Sequence, residues 1–191
     1  MALVLASTSP RRRELLTMVG AVFEVAVPDV DESTLKKKEA PEELVVRLAG
    51  AKAADVARRR PEDVVVGADT VVVLDGQLLG KPRDPADARR MLRLLSGRTH
   101  QVWTGLAVIQ RAKNRRVTAA ERTDVTFRHL SDEEIDRYVE RGEGLDKAGA
   151  YAVQGVGALF VERLEGCYYN VVGLPLARLQ SLLKGFGIRL W

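Results

Sequence analysis

The chain has 191 residues, of which 46% are hydrophobic and 29% are charged, a balance typical of one globular protein. One cysteine, Cys167, excludes an intrachain disulfide framework, and with only two histidines beside it a zinc site of soft ligands is excluded as well. The net charge of +4 favours an anionic partner, a condition that nucleotides and nucleic acids satisfy equally.

The opening residues MALVLAS contain neither a basic segment nor a long apolar segment, so we expect no signal peptide. No apolar run approaches the ~18 residues that a membrane-spanning helix needs. We therefore expect a cytoplasmic protein without a membrane partner.

The first predicted elements are a strand over residues 3–6 and a helix that follows it. Ser9 suits the N-cap of this helix and Pro10 its first position, which places three arginines, residues 11–13, in the first turn. Cations there oppose the helix dipole, whereas a bound phosphate would be favoured by the dipole and by the backbone N–H groups. The pattern predicts either an anion site or solvated surface arginines.

The second strand, over residues 23–27, leads into a polar turn that contains Asp29, Asp31 and Glu32. A helix is predicted over residues 41–60, with an apolar stripe at Val45, Leu48 and Ala49. Lys52 continues this stripe, at a position where a core residue is expected. Its amine either extends from the edge of the stripe into solvent or reaches into a binding cleft.

The strongest local anomaly lies in residues 63–82, where Asp69 and Thr70 interrupt an apolar strand. Asp75 and Gly76 predict a two-residue hairpin turn, which would pair Val73 with Leu78 and Thr70 with Lys81. A carboxylate within a buried strand must be compensated. If Asp69 has no functional role, an ion pair with Lys81 is the structural explanation. It would require a bulge, because the two side chains fall on opposite faces of the ladder.

The remaining segments alternate between helices and strands, with no repeat or linker, and predict one α/β domain over residues 1–191. A helix begins at Asp84-Pro85, strands at 99–110 and 117–127 pair across a basic turn, and Ser131 with Glu134 forms a capping box. The glycine-rich residues 143–166 contain the amide of Gln154. Their glycines indicate either close backbone approach to a ligand or simple turns. An amphipathic helix ends the chain.

Several common catalytic motifs are absent from the sequence. A P-loop would need glycine at residue 75, which is aspartate, and Ser or Thr at residue 82, which is proline. No G-x-S-x-G elbow and no complete dinucleotide fingerprint occurs. His100 follows a helix end, where it either hydrogen-bonds a loop or acts as a lone general base.

Five segments occur in order along nearly the whole chain: LASTSPRRRELL, GADTVVVLDGQLLGKP, SGRTHQVWTG, DKAGAYAVQG and YYNVVGLPLARL. Together they resemble the Maf family of nucleoside triphosphate pyrophosphatases. The resemblance implies a mixed α/β fold with a mixed sheet, flanking helices and two lobes around a central cleft, similar to inosine triphosphate pyrophosphatases. It also implies hydrolysis of a nucleoside triphosphate to monophosphate and pyrophosphate with Mg²⁺ or Mn²⁺, and a homodimer. No basic stripe with interleaved aromatic residues is evident in the sequence, so we expect no nucleic-acid partner.

The same resemblance assigns roles to residues of this chain. The triphosphate would contact Ser7, Ser9, Arg11 and Arg12, and the metal would contact Glu32 and Asp69. Lys52 and Lys81 would be catalytic residues that stabilise charge on the departing pyrophosphate. The base would be selected by Arg11, Thr70 and Gln154. Asp69 would serve as general base, metal ligand or both.

The segment from Lys147 to Tyr151, with Gln154, is similar to the branch of this family that acts on dTTP and UTP, and modified pyrimidine nucleotides fit the same chemistry. Two alternatives remain at this point. One is the same reaction on 7-methyl-GTP or another modified purine nucleotide. The other is a non-enzymatic regulator of cell division that binds nucleic acid or a protein.

Overall fold

The computed structural model describes residues 1–30 and 39–191, so Asp31 and Glu32 lie outside the described residues. The described elements are strands β1 (Leu3–Ala6), β2 (Glu24–Ala26), β3 (Val64–Leu74), β4 (Gln77–Leu79), β5 (Thr99–Gln110), β6 (Arg115–Phe127) and β7 (Val161–Glu165), and helices α1 (Pro10–Met18), α2 (Pro41–Arg59), α3 (Pro85–Leu95), α4 (Asp132–Glu140), α5 (Tyr168–Val172) and α6 (Leu176–Lys184). In this part of the chain, no helix combines the length and the apolar character needed to cross a membrane.

The strands form one mixed sheet in the order β2-β1-β3-β5-β6-β7, and β4 pairs with β3. Strand β1 runs parallel to both β2 and β3, while β3 with β4 and β6 with β7 are antiparallel. The predicted mixed α/β fold with flanking helices is therefore confirmed. The residues divide into two compact units, the first comprising 1–69, 104–121 and 173–191 and the second 70–103 and 122–172.

In the first unit, α2 packs on the sheet through small residues. Its buried Ala49 and Ala53 belong to a core cluster with the valines and alanines of β1, β3 and β5. A Cβ at Gly67 of β3 would collide with the carbonyl oxygen of Ala49, and one at Gly105 of β5 would collide with the carbonyl of Val45. The helix backbone therefore lies directly against two strands, which larger residues at these positions would prevent.

In the second unit, the predicted hairpin forms at Asp75 and Gly76, whose φ values of 48° and 77° are those of a tight hairpin turn. The predicted pairing of Val73 with Leu78 is confirmed. The predicted pairing of Thr70 with Lys81 is wrong, because β4 already ends at Leu79 and the ladder does not continue to these residues.

The predicted helix starts are also confirmed. The side chain of Asp84 accepts a hydrogen bond from the backbone N–H of Asp87 at 2.7 Å, and Ser131 with Glu134 forms the complete capping box of α4. Strand β7 and helix α5 were not predicted, because each has only five residues and neither shows a clear hydrophobic period.

Candidate functional site

The connection between β1 and α1 is held by a buried arginine. The side chain of Arg12 donates from Nε to the carbonyl oxygen of Gly173 at 2.8 Å and from Nη1 to the carbonyl oxygen of Ala68 at 2.9 Å. Nη1 also lies 3.4 Å from Oγ of Ser7, which accepts a bond from the backbone N–H of Ser9 at 3.1 Å. Arg12 is 8% exposed, so much of its guanidinium is committed to the protein backbone.

The other residues of this helix start have more contact with solvent. Ser9 occupies the N-cap and Pro10 the first helical position, as predicted, although in the described ranges the Ser9 hydroxyl caps no backbone N–H of the helix. Arg11 is half-buried and Arg13 is exposed. The first turn contains no acidic residue, so its backbone dipole and its arginines together favour an anion.

A second feature of the first unit is the ion pair between Lys52 and Asp69. Nζ of Lys52 lies 2.6 Å from Oδ1 of Asp69, and the side chains are only 12% and 11% exposed. The partner of Asp69 is thus the helix lysine, whereas the sequence suggested Lys81 as its structural partner. Of the two alternatives for Lys52, burial and pairing contradict the one in which its amine extends into solvent.

The packing of α2 explains why this pair forms. Gly67 and Asp69 are two residues apart on β3 and therefore lie on the same face of the sheet. Because Gly67 admits the backbone of Ala49 and Ala53, Lys52 in the same helical turn reaches the carboxylate two residues along the strand.

The register of the sheet brings the helix start and the ion pair close together. Ala6 of β1 and Gly67 of β3 form the last pair of the parallel ladder between these strands. Ser7 and Ala68 are the residues that follow them in the sequence, at the carboxyl end of this ladder. Arg12 bridges these two positions. The carboxyl ends of adjacent parallel strands are where open α/β sheets bind ligands.

Of the two predicted metal ligands, only Asp69 belongs to the described residues. Within residues 1–30 and 39–191, no group of three or more His, Cys, Asp or Glu side chains is arranged to hold a metal ion. A protein-only metal cage is therefore not present in the described part of the chain. A single carboxylate still suits Mg²⁺, which proteins commonly bind through one or two carboxylates together with substrate phosphates and water.

Three predicted site residues lie in the second unit. Thr70 is half-buried, Lys81 is exposed, and Gln154 is half-buried at the start of a 3-10 turn, Gly155–Phe160. The carbonyl oxygen of Gly80, next to Lys81, accepts a hydrogen bond from the backbone N–H of Gly149 at 3.1 Å. The segment that carries Lys81 is thus attached to the segment that leads to Gln154.

His100 is buried among aromatic rings of the second unit and is 1% exposed. Its Nε2 is 2.8 Å from the hydroxyl of Tyr151, and the ring makes edge contacts with Tyr151 and Phe127. Burial lowers the pKa of His100 to about 4, against a smaller opposing effect of the Asp124 charge. Of the two predicted alternatives, the structure has the hydrogen bond to a loop residue. A general base is contradicted, because a ring with so low a pKa takes up a proton poorly and is closed off from solvent.

An open cavity of about 350 Å³ lies elsewhere in the first unit, lined by residues of both chain ends and of the β2 region: Met1, Ala2, Leu3, Val22, Phe23, Glu24 and Ile188. None of the predicted site residues lines it.

Solved structures with the same fold place the chain in a broad class. The Ham1 protein of Staphylococcus aureus is 16% identical and superposes with a TM-score of 0.54. The superposition covers 96% of this chain and 98% of the Ham1 chain. A HAM1 protein from Coxiella burnetii is 13% identical with the same coverage and a TM-score of 0.52. The chain is thus a mixed α/β protein with the Ham1 type of fold.

The family follows from the sequence comparisons. The family model described as "Maf-like protein" matches residues 2–186, so the chain belongs to the Maf-like protein family, as its motifs predicted. The dTTP/UTP pyrophosphatase of Bacillus cereus strain AH820 is 50% identical over 186 residues, which is 97% of this chain and 96% of the relative. That of Bacillus cytotoxicus is 51% identical over 183 residues, 96% of this chain and 94% of the relative.

Proposed function

We propose that this protein hydrolyses nucleoside triphosphates, dTTP and UTP foremost, to the nucleoside monophosphate and pyrophosphate. The observation that carries the proposal is the buried pair of Lys52 and Asp69 beside the start of α1. It is supported by the names of relatives that are 50% identical over nearly the whole chain. Modified pyrimidine nucleotides belong to the same substrate class.

The start of α1 would hold the triphosphate. Ser7, Ser9 and Arg11 offer hydroxyl and guanidinium donors next to the first-turn N–H groups, and phosphate oxygens accept such bonds well. Arg12 adds positive charge there, but its Nε and Nη1 hold backbone carbonyls, including that of Ala68 beside Asp69. Its main task in this proposal is to fix the backbone that carries Asp69.

Asp69 would act on the attacking water. One carboxylate oxygen takes a proton from the water, the water oxygen bonds to the α-phosphorus, and the bond to the bridging oxygen breaks with pyrophosphate as the leaving group. Lys52, 2.6 Å from Oδ1, holds the carboxylate in place and balances its charge. Lys81 would contribute a further positive charge toward the leaving pyrophosphate.

The proposal includes a divalent cation, Mg²⁺ or Mn²⁺, held by Asp69 and by phosphate oxygens. When bound there, such an ion would supply positive charge that offsets the negative charge of the phosphates. Glu32 lies outside the described residues, so among the described carboxylates the proposal rests on Asp69 alone.

Base choice would involve Arg11, Thr70 and Gln154. The amide of Gln154 carries a donor and an acceptor, which match the N3–H and a carbonyl of uracil or thymine.

The test is pyrophosphate release from UTP, dTTP, CTP, GTP, ATP and 7-methyl-GTP, each with Mg²⁺, with Mn²⁺ and with a chelator. We expect metal-dependent release that is fastest with UTP and dTTP. The variant Asp69→Asn should lose about 100-fold or more of the activity, since a positioned general base contributes at least that much. It should remain folded, because the asparagine oxygen still accepts a bond from Lys52.

Asp75→Asn is the matched control, since Asp75 lies in the hairpin turn with its side chain 71% exposed and asparagine tolerates the same backbone conformation. It should keep full activity. Retention of more than about a tenth of the activity in Asp69→Asn would contradict the assigned role. Release only from 7-methyl-GTP would favour the purine alternative, and no release from any nucleotide would favour a binding protein.

A further inference from the structure

The loop that contains Gln154 is attached to the protein on both sides of that residue. Two residues before it, the backbone N–H of Ala152 donates to the hydroxyl of Tyr138 at 3.1 Å. Two residues after it, the backbone N–H of Val156 donates to Oε2 of Glu143 at 3.1 Å. Tyr138 lies on α4 and Glu143 in the turn directly after it, so one continuous stretch of chain holds both ends of the loop.

The loop is also closed on itself. A Cβ at Gly157 would collide with the carbonyl oxygen of Ala152 and would lie 3.1 Å from the Tyr138 hydroxyl. Gly155 has a φ of +71°, and a Cβ there would lie 2.8 Å from Oε2 of Glu143. Glycine favours this close approach and this positive φ, and the carboxylate of Glu143 packs directly against the residue that follows Gln154.

The two acceptors are themselves fixed. Tyr138 is 2% exposed and its ring packs edge-on against Phe160. Glu143 is half-buried, its Oε1 pairs with Nε of Arg141 at 3.1 Å, and its backbone carbonyl accepts a bond from Lys147. Nothing in the proposed chemistry uses either side chain, which leaves a buried hydroxyl and a half-buried carboxylate whose contacts converge on one loop.

We propose that Tyr138 and Glu143 are positioning residues that set base selectivity by fixing the backbone on both sides of Gln154. An amide offers a donor and an acceptor on one group, so it discriminates between the edges of two bases only when its backbone is held in place. Loosening either anchor lets the amide serve cytosine as well as uracil. This inference rests on the proposed function, in which Gln154 contacts the base.

The test compares UTP with CTP, two pyrimidine nucleotides of equal size whose hydrogen-bonding edges differ. The variants are Tyr138→Phe, which removes only the hydroxyl, and Glu143→Ala, which removes the acceptor. Each should lower the UTP/CTP ratio of kcat/KM about 10-fold, the effect of losing one well-placed hydrogen bond. The change should appear in KM, with kcat for UTP changed less than about twofold, because the reacting groups are untouched.

Two further variants separate positioning from general damage. Glu143→Gln keeps an acceptor oxygen and should restore the ratio. Glu140→Ala removes an exposed acid from α4 and should change nothing. Hydrogen exchange supplies a readout independent of turnover: the Val156 amide should exchange faster in Glu143→Ala, and the Ala152 amide faster in Tyr138→Phe. Each thermal midpoint should fall by no more than a few degrees, the cost of one hydrogen bond.

Gln154→Ala makes the failures distinguishable. If it lowers the UTP/CTP ratio while Tyr138→Phe and Glu143→Ala leave the ratio unchanged, the positioning role is wrong and the proposed function stands. If Gln154→Ala also leaves the ratio unchanged, the role of Gln154 in base choice is wrong and the inference fails with it. A wild-type protein that releases no pyrophosphate refutes the proposed function and this inference together.

Discussion

The buried His100 predicts a specific dependence of stability on pH. Its pKa is about 4 in the folded protein because burial disfavours the charged ring, and about 6.5 when the chain unfolds. The folded state thus binds fewer protons than the unfolded state between these two values. Stability from this residue is complete above pH 6.5 and is lost as the pH falls toward 4.

The size of the effect follows from the two pKa values. Each pKa unit corresponds to about 1.4 kcal/mol, so the full loss is about 3 kcal/mol, and about 2 kcal/mol of it falls between pH 7 and pH 5. Carboxylates such as Asp55 and Asp63 have pKa values lowered below 3.8 by hydrogen bonds from backbone N–H groups and arginines. Their contribution to stability is lost only below about pH 4, so the loss between pH 6.5 and pH 4 is assigned to His100.

The assay is urea unfolding at pH 7, 6 and 5, followed by circular dichroism. The wild type should lose about 2 kcal/mol of unfolding free energy between pH 7 and pH 5. His100→Gln should lose much less, because glutamine can accept a bond from the Tyr151 hydroxyl and cannot take up a proton. His129→Gln, at the exposed second histidine, should behave as the wild type does. Equal slopes in wild type and His100→Gln would refute the burial argument.

Two further predictions concern the framework of the site. Arg12→Lys should destabilise the protein by about 3 kcal/mol, because an ammonium group cannot reproduce the two guanidinium bonds to backbone carbonyls. Arg13→Lys, at the exposed neighbouring position, should cost almost nothing. Equal thermal midpoints for the two variants would contradict the structural role of the Arg12 hydrogen bonds. Gly67→Ala should force α2 away from β3 and separate Lys52 from Asp69, which lowers both activity and stability. The expected loss of unfolding free energy is about 1–3 kcal/mol, as is typical of overpacking. A variant that is fully stable in thermal unfolding and fully active in pyrophosphate release would show that the helix can shift at no cost.

Local features were predictable because their causes lie within a few residues. The turn at Asp75 and Gly76 requires positive φ values that these residues adopt readily, and the capping box of α4 joins Ser131 to Glu134 three residues away. The same holds for the proline at the start of α1.

The sequence also marked Lys52 and Asp69 as anomalies, because each places a charge where an apolar residue is expected. It did not reveal that the two charges pair, since helix periodicity and strand alternation say nothing about where a helix crosses a strand. The missing signal was Gly67 together with Ala49 and Ala53, which allow the close helix–strand contact. Lys81 was suggested as the partner of Asp69 only because the hairpin register is local information.

The sequence by itself determined the α/β class, the family motifs and the residue types of the candidate site, because periodicity, capping and motif spacing are local properties of the chain. The tertiary structure decided which of these groups meet. It committed Arg12 to the carbonyls of Ala68 and Gly173, paired Lys52 with Asp69, and brought Tyr138 and Glu143 to the residues before and after Gln154. These contacts join residues from separate elements, and their geometry depends on backbone packing that no local pattern encodes.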